Sequence, residues 1–350
     1  MPAERVVVAI TTPLEAELVA RIAAVDDRLD VRYHPDQLPP LRFACDHRGV
    51  ESFRRTPEQE AEWRAMLSDA EVLFGIPGDS PEGLAEAVRS ISGLRFVQAT
   101  AGGAGEQVGA AGLTSEELAR VAVTRAGGVH VGPLAEFAVL GMLAFTKGLP
   151  RLLADKAERR WDHYPMAELA GATVLVVGVG AVGTEVARLA KAFGMRVIGV
   201  NRSGHTDSPD VDEARPSRFL GDLLPVAHAV VLTLPFTKET KGMIDEAAMA
   251  RMRTGAVLVD VGRGGVVDEA ALVRALEEDR LGGAALDVFA TEPLPPDSAL
   301  WELPNVLLSP HTAGLSLREN RRLVALFAQN LRRYLDGDEL LSRVHPSLLY

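Results

Sequence analysis

Three polar side chains that could act together in acid–base chemistry each follow an apolar, strand-like run of the sequence: Arg263, Glu292 and His311. An imidazole exchanges a proton near neutral pH, and a carboxylate on its second ring nitrogen fixes the tautomer and stabilises the imidazolium. A guanidinium is always charged and can hold a carboxylate while it polarises a carbonyl oxygen. Because parallel strands end at the same edge of a sheet, the three could share one cleft. Each also has a plain alternative role, in a strand end, a loop or a turn.

A glycine-rich turn lies earlier in the chain, where the apolar run 174–177 leads into Gly178, Gly180 and Gly183. The spacing G-x-G-x-x-G between a strand and a helix is typical of dinucleotide binding. The first glycine permits a tight turn, the second lets the backbone approach a pyrophosphate, and the third lets the helix pack on the strand. We expect cofactor contacts from these glycines and from Ala181 and Val182. The alternatives are an ordinary α/β turn and a methyltransferase site, which would leave the three polar residues unexplained.

The residues after the next predicted strand bear on the ribose of the dinucleotide. An NAD site usually has an acid there, which accepts from the 2′-hydroxyl. This chain has Asn201, Arg202 and Ser203 instead. A guanidinium and a hydroxyl could bind a 2′-phosphate, so the sequence favours NADP(H), with NAD(H) possible. The alternative is that Arg202 stacks on the adenine and serves both cofactors.

The elements that must position these residues alternate between apolar runs and amphipathic stretches, the pattern of parallel α/β layers. Strands are predicted over residues 6–10, 71–74, 94–98, 173–177, 196–200, 229–232, 256–261, 283–288 and 305–309. Capping boxes predict helix starts at Thr12, Thr56 and Ser316, and the last helix should end near Gly337. Residues 133–149 and 152–161 are helical stretches without a following strand, which is typical of helices that pack against another subunit.

Length, charge and cysteine content narrow the class of protein. A chain of 350 residues fits roughly two domains. A net charge of −11 disfavours a nucleic-acid partner, because it repels phosphate backbones. The single cysteine, Cys45, excludes a disulfide framework and a zinc site built on several thiolates. The remaining histidines show no metal spacing, and no uncharged apolar stretch reaches about 18 residues. We therefore expect a cytoplasmic protein without a metal and without a membrane partner.

The sequence resembles the D-isomer-specific 2-hydroxyacid dehydrogenase family over nearly all of its length. The resemblance is carried by the glycine turn, by the three polar residues in their motifs, and by three further segments, residues 233–242, 267–272 and 300–306. It implies reduction of a small 2-keto acid to a D-2-hydroxy acid with NAD(P)H. It further implies that His311 donates the proton, that Glu292 orients His311, and that Arg263 binds the carboxylate and the carbonyl group.

The same resemblance implies a domain organisation and a set of binding residues. A Rossmann dinucleotide-binding domain is expected over residues 126–314, and a smaller flavodoxin-like substrate domain over residues 1–125, completed by residues 315–350. A homodimer is expected through residues 133–165. Further cofactor contacts are expected from Leu234, Pro235, Thr240, Val261, Gly262 and Asp287, the last of which could equally be a structural hydrogen-bond acceptor. Two glycine loops of the first domain should face the substrate, with contacts from Gly78, Ala101, Gly102 and Gly103.

Other functions remain open at this point. A relative that oxidises formate or phosphonate is one alternative, but formate-oxidising relatives carry glutamine at the position of Glu292. A dinucleotide-sensing corepressor or scaffold of the same fold is another, and turnover of simple keto acids would separate it from an enzyme. Residues 42–55 show no helical or strand period, so they could be a flexible insertion near the cleft or a surface loop.

Overall fold

The computed structural model describes residues 5–345 and divides the chain into two compact units. Unit 1 consists of the residues up to His130 and those from Leu315 onward, and unit 2 runs from Val131 to Gly314. Each unit has a parallel sheet with helices packed on it, which confirms the predicted pair of doubly wound α/β domains. The first crossing falls after residue 130, a few residues beyond the predicted 125. Residues 346–350, expected to complete the first domain, lie outside the described residues.

Unit 1 contains a five-stranded sheet in the order β2-β1-β3-β4-β5. The strands are β1 (Val6–Ile10), β2 (Leu29–Arg32), β3 (Val72–Phe74), β4 (Phe96–Gln98) and β5 (Ala122–Thr124). The helices are α1 (Ala16–Ala23), α2 (Pro57–Leu67), α3 (Pro81–Ser90), α4 (Ala104–Ala110), α5 (Ser115–Arg120) and α12 (Glu319–Asp336). Successive strand side chains point to opposite faces, so Leu73 joins one core and Phe74 joins the other, against Phe327 of α12.

Two of the three predicted capping boxes do not form, and both helices begin later than expected. α1 begins at Ala16, and the Thr12 hydroxyl lies 2.9 Å from His47 Nδ1 instead of capping the helix. α12 begins at Glu319, whose buried carboxylate faces His47 and His130. The capping box at the start of α2 forms as predicted, and α12 ends at a left-handed glycine as expected.

Residues 42–55 form a loop whose first half is organised around the buried carboxylate of Asp46. That carboxylate accepts hydrogen bonds from the Arg42 guanidinium and from the backbone N–H groups of Arg42, Arg48 and Gly49. The hydrogen bond from Arg42 outweighs the effect of burial and holds the pKa of Asp46 far below its usual range. Cys45 beside it is buried as well. These contacts favour the surface-loop alternative for this segment over a flexible insertion.

Unit 2 contains a seven-stranded parallel sheet in the order β12-β11-β10-β9-β6-β7-β8. The strands are β6 (Thr173–Val177), β7 (Arg196–Asn201), β8 (Glu213–Pro216), β9 (Ala229–Leu232), β10 (Ala256–Asp260), β11 (Leu281–Leu286) and β12 (Val306–Leu308). The helices are α6 (Val131–Thr146), α7 (Leu149–Glu158), α8 (Ala181–Ala192), α9 (Leu220–Leu223), α10 (Glu246–Arg251) and α11 (Glu269–Glu277). The strand order reverses on either side of β6, and ligands of such sheets bind at the carboxyl edge near this reversal.

The two helices that open unit 2 differ in what they contact. α6 packs on its own sheet: Ala135 and Met142 are buried, and a Cβ placed on Gly141 would lie 2.5 Å from the Cβ of Ala285 in β11. This close approach shows that α6 packs on its own sheet, which corrects the expectation that it would not. α7 instead exposes Leu152 and Leu153.

No single helix among the described residues is long and apolar enough to cross a membrane. By length and composition alone, α6 and α7 together would be long and apolar enough to cross a membrane, as a pair bent by 58°. The α6 half of that pair lies largely in the core of unit 2.

Candidate active site

The carboxyl ends of three neighbouring strands in unit 2 carry the three predicted catalytic residues. Arg263 follows β10, Glu292 follows β11 and His311 follows β12. The structure brings two of them into direct contact, with His311 Nδ1 lying 2.7 Å from Glu292 Oε2. The other oxygen of Glu292 accepts from the backbone N–H of Phe289, which fixes the carboxylate. Both side chains are partly exposed, so the second ring nitrogen of His311 can meet a ligand.

Asp287 holds the backbone that carries His311. Its buried carboxylate accepts hydrogen bonds from the Ser309 hydroxyl and from the backbone N–H groups of Thr312 and Ala313. His311 itself has φ of 53°, a left-handed conformation that costs a non-glycine residue energy. The carboxylate of Asp287 stabilises this turn. This geometry favours the structural interpretation of Asp287 over a direct contact with the nicotinamide.

Arg263 is positioned by a close backbone contact that the sequence reasoning missed. A Cβ on the next residue, Gly264, would lie 2.0 Å from the carbonyl carbon of Phe289, so only glycine fits. Phe289 is also the residue whose N–H binds Glu292, and the contact therefore joins the turn of Arg263 to the loop of Glu292. The Arg263 guanidinium donates to the carbonyl oxygen of Gly262 at 2.8 Å. The doublet of glycines after Arg263 was the available signal for this packing.

Asp260, at the end of β10, is a second buried carboxyl group that sequence reasoning left aside. It is 1% exposed, and one of its oxygens accepts from the backbone N–H of Gly262. Burial raises the pKa of Asp260 to about 8, against the opposing effects of that hydrogen bond and of the Arg263 charge. A carboxyl group inside an otherwise apolar strand was the signal that could have identified it.

The glycine-rich turn between β6 and α8 has the shape that a dinucleotide needs. Gly178 has φ of 103°, and a Cβ on Gly183 would lie 1.9 Å from the carbonyl oxygen of Gly178. By contrast, the space around Gly180 is open, because a Cβ there would meet no atom within 4 Å. Gly180 is the N-cap of α8, Ala181 and Val182 form its first turn, and no side chain caps it. Its unpaired N–H groups could hold a pyrophosphate. The turn therefore fits the pyrophosphate of a dinucleotide.

The turn after β7 is organised by its own side chains. Asn201 accepts from the backbone N–H of Gly204 and donates to the carbonyl oxygen of His205. The Ser203 hydroxyl lies 3.1 Å from Asn201 Oδ1, so its proton is used within the turn. Arg202 is exposed. Any selection for a 2′-phosphate at this turn would therefore depend on Arg202 more than on Ser203.

The other predicted cofactor residues line the same edge of the sheet, next to the glycine turn. Leu234 and Pro235 follow β9, and a Cβ on Gly262 would lie 2.7 Å from the Leu234 carbonyl oxygen. The buried Thr240 hydroxyl donates to the carbonyl oxygen of Pro235 and stabilises this loop. Val261 is buried in the core. Thr240 and Val261 thus shape the edge of the sheet.

The two predicted substrate loops lie at carboxyl ends of strands in unit 1. Gly78 follows β3 and is exposed with φ of 65°. Residues Ala101, Gly102 and Gly103 follow β4 and lead into α4. A Cβ on Gly102 would lie 3.4 Å from Nδ1 of His130. Within residues 5–345, no group of three His, Cys, Asp or Glu side chains could hold a metal ion.

Comparison with known proteins identifies what this fold and site are similar to. Residues 139–313 match the family model described as D-isomer specific 2-hydroxyacid dehydrogenase, NAD binding domain. A glyoxylate reductase of Korarchaeum cryptofilum is 36% identical over 225 residues, 62% of this chain and 67% of that protein. A protein of Haemophilus influenzae, described provisionally as a 2-hydroxyacid dehydrogenase, is 31% identical over 318 residues, 87% of this chain and 96% of that one.

One similar solved structure contains a bound cofactor. It is the NADPH-dependent glyoxylate/hydroxypyruvate reductase of Sinorhizobium meliloti in complex with NADP and sulfate. The two chains are 25% identical, with a TM-score of 0.76 over 99% of this chain and 100% of that chain.

Proposed function

Because this chain belongs to the D-isomer-specific 2-hydroxyacid dehydrogenase family, whose members are hydride-transferring oxidoreductases that bind a nicotinamide dinucleotide, we propose that it reduces a small 2-keto acid to a D-2-hydroxy acid with NADPH. The observation that carries the proposal is the 2.7 Å contact between His311 and Glu292, at the same sheet edge as the glycine turn. An imidazole held by a carboxylate is suited to proton transfer near neutral pH. No feature of the described residues favours a purely sensing or scaffolding role over this one.

The roles of the residues follow from their chemistry. A nicotinamide dinucleotide held at the glycine turn would supply the hydride for the carbonyl carbon. The imidazolium of His311 donates its Nε2 proton to the carbonyl oxygen, while Glu292 on Nδ1 stabilises the charged ring and fixes its orientation. The Arg263 guanidinium holds the substrate carboxylate and polarises the carbonyl bond. Gly78 and residues 101–103 are proposed as further substrate contacts, through their backbone N–H groups.

The substrate class is tested with the purified full-length chain. Initial rates are measured with glyoxylate, hydroxypyruvate, pyruvate, phenylpyruvate and a branched keto acid, each with NADPH and with NADH. We expect turnover of at least one small keto acid, with glyoxylate and hydroxypyruvate tested first because relatives are named for them. Binding of the dinucleotide without turnover of any keto acid would contradict the enzymatic proposal and favour the sensing alternative.

We further propose that the protein is a cytoplasmic homodimer joined through residues 133–165. Large apolar side chains are exposed along the second part of this segment, with Leu153 57% and Trp161 89% exposed. Exposed apolar patches of this kind mark interaction surfaces. Sedimentation of the unaltered chain and of Leu153→Asp tests the surface, and we expect a dimer that the substitution converts to a monomer. A monomeric unaltered chain would contradict it.

A further inference from the structure

A buried carboxylate in unit 1 lies outside the chemistry described so far. Glu319, the first residue of α12, is 1% exposed. Its Oε1 lies 3.4 Å from Nε2 of His47 and 3.3 Å from Nε2 of His130, and both imidazoles are largely buried. Burial alone would raise the pKa of Glu319, but the nearby imidazoles of His130 and His47 lower it to about 2. A buried anion of this kind is tolerated because it is paired with groups that can carry positive charge.

One arm of this cluster leads to the loop after β3. His47 Nδ1 lies 2.9 Å from the Thr12 hydroxyl. The Thr12 side chain packs against Gly75, the first residue of that loop, where a Cβ would lie 2.9 Å from Thr12 Cγ2. The neighbouring Thr11 hydroxyl donates to the Gly75 carbonyl oxygen at 2.9 Å. Displacement of His47 would therefore be transmitted to the loop that contains Gly78.

The other arm leads to the loop after β4. His130 presents Nε2 to Glu319 and Nδ1 toward Gly102, where a Cβ would lie 3.4 Å from that nitrogen. Gly102 belongs to the second predicted substrate loop. One carboxylate therefore contacts two imidazoles, each of which leads to a different glycine loop at the same edge of the unit 1 sheet.

We propose that Glu319 is a positioning residue for substrate binding, which fixes the spacing of the two glycine loops through His47 and Thr12 on one side and through His130 on the other. The proposal rests on the proposed function, because the spacing of the loops matters only if both contact the keto acid. It assigns Glu319 no proton transfer, since His311 and Glu292 form the acid–base pair in unit 2.

The carboxylates around Glu319, His47 and His130 explain why both imidazoles contact Glu319 and not another acidic side chain. On the segment that carries His47, Asp46 is already bound to Arg42. Asp79, after β3, is bound by the side chain of Gln107. Glu15, before α1, accepts from the Asn320 side-chain amide. Each neighbouring carboxylate therefore has its own partner.

The test is Glu319→Gln in the full-length chain, which keeps the shape of the side chain and removes its charge. We expect KM for the keto acid to rise about tenfold or more, the scale of one hydrogen bond to a charged group. The kcat value and the dissociation constant for NADPH should stay close to those of the unaltered chain. The matched control is Glu17→Gln, which breaks the exposed pair with Arg321 in the same turn of α12 and should leave KM unchanged.

His47→Gln and His130→Gln, alone and with Glu319→Gln, extend the test. If both imidazoles act through Glu319, each single substitution raises KM, and adding either to Glu319→Gln raises it little further. An unchanged KM in folded Glu319→Gln overturns the proposal, and so does an equal loss of kcat, cofactor affinity and stability in all three single variants. If the unaltered chain reduces no keto acid, the proposed function fails first; if it does and KM is insensitive to Glu319, only this inference fails.

Discussion

At the scale of single residues, the contact between His311 and Glu292 makes a prediction that separates proton transfer from binding. His311→Gln removes the proton donor, and we expect turnover to fall by about 10²-fold or more, the usual contribution of a positioned acid. Glu292→Gln keeps the shape of the partner but removes its charge, so turnover should also fall while the dissociation constant for NADPH stays the same. The measurements are steady-state rates and NADPH titrations. Near-normal turnover by His311→Gln would remove His311 from the mechanism.

We expect Arg202 to determine any preference between the two cofactors, because the hydroxyl of Ser203 is already bound within the turn. A charge-assisted contact from Arg202 to a 2′-phosphate should favour NADPH over NADH by about 10- to 150-fold, mainly through KM. Arg202→Asp should reverse the preference, because it repels the phosphate and offers an acceptor to a 2′-hydroxyl. Steady-state kinetics with both cofactors checks this. Equal kcat/KM values for NADPH and NADH in the unaltered chain would favour the alternative in which Arg202 stacks on the adenine.

At the scale of elements, the close contact between the turns after β10 and β11 predicts an intolerant glycine. In Gly264→Ala the new methyl group would collide with the backbone of Phe289, so the loop that carries Glu292 must move. We expect a lower melting temperature and a large loss of kcat together. Gly132→Ala is the matched control, because that glycine lies in α6 with open space around it and no left-handed φ. Wild-type activity in Gly264→Ala would show that the turn can relax without disturbing Glu292.

Strands and helix starts could be predicted where the sequence signal was local. The prediction failed where the structure depends on residues far along the chain. Strands buried on both faces, such as β6 and β10, are continuous apolar runs and were located correctly. β2, β5 and β8 were missed. The residues of β2 and β8 are half-exposed and partly charged, and β5 spans only three residues. The capping boxes at Thr12 and Ser316 failed because Thr12 and Glu319 contact His47, a residue far along the chain. A local pattern contains no information on such a partner.

At the scale of the whole molecule, the residues of the candidate site could be predicted from sequence, but the contacts that hold them could not. Arg263, Glu292 and His311 could be proposed together because each follows a strand, and parallel strands end at one edge. The contacts that hold these residues in place could not be predicted, since the packing of Gly264 on Phe289 depends on the path of two loops. Residues 42–55 had no periodic pattern because the loop is held by Asp46 and by its contact with α12 rather than by a regular element.

Asp260 predicts how the stability of the whole chain depends on pH. Its pKa is raised by burial to about 8 in the folded state, above the value of 3.8 for an unperturbed aspartate. A raised folded-state pKa means that the folded chain binds the proton more tightly, so this contribution to stability is complete below about pH 4 and is lost as pH rises through about 8. Asp260→Asn cannot ionise and should lack this loss.

The measurement is urea unfolding of the unaltered chain and of Asp260→Asn at pH 5 and pH 9. Between these values the unfolding midpoint of the unaltered chain should fall relative to that of the variant, because at pH 9 the folded chain must hold a charged carboxylate that is 1% exposed. Asp268→Asn is the control: it removes the charge of the exposed N-cap of α11, which is ionised at both pH values, so its effect should be the same at both. A constant difference between the unaltered chain and Asp260→Asn would mean that Gly262 N–H and the Arg263 charge keep Asp260 ionised in the folded protein throughout this range.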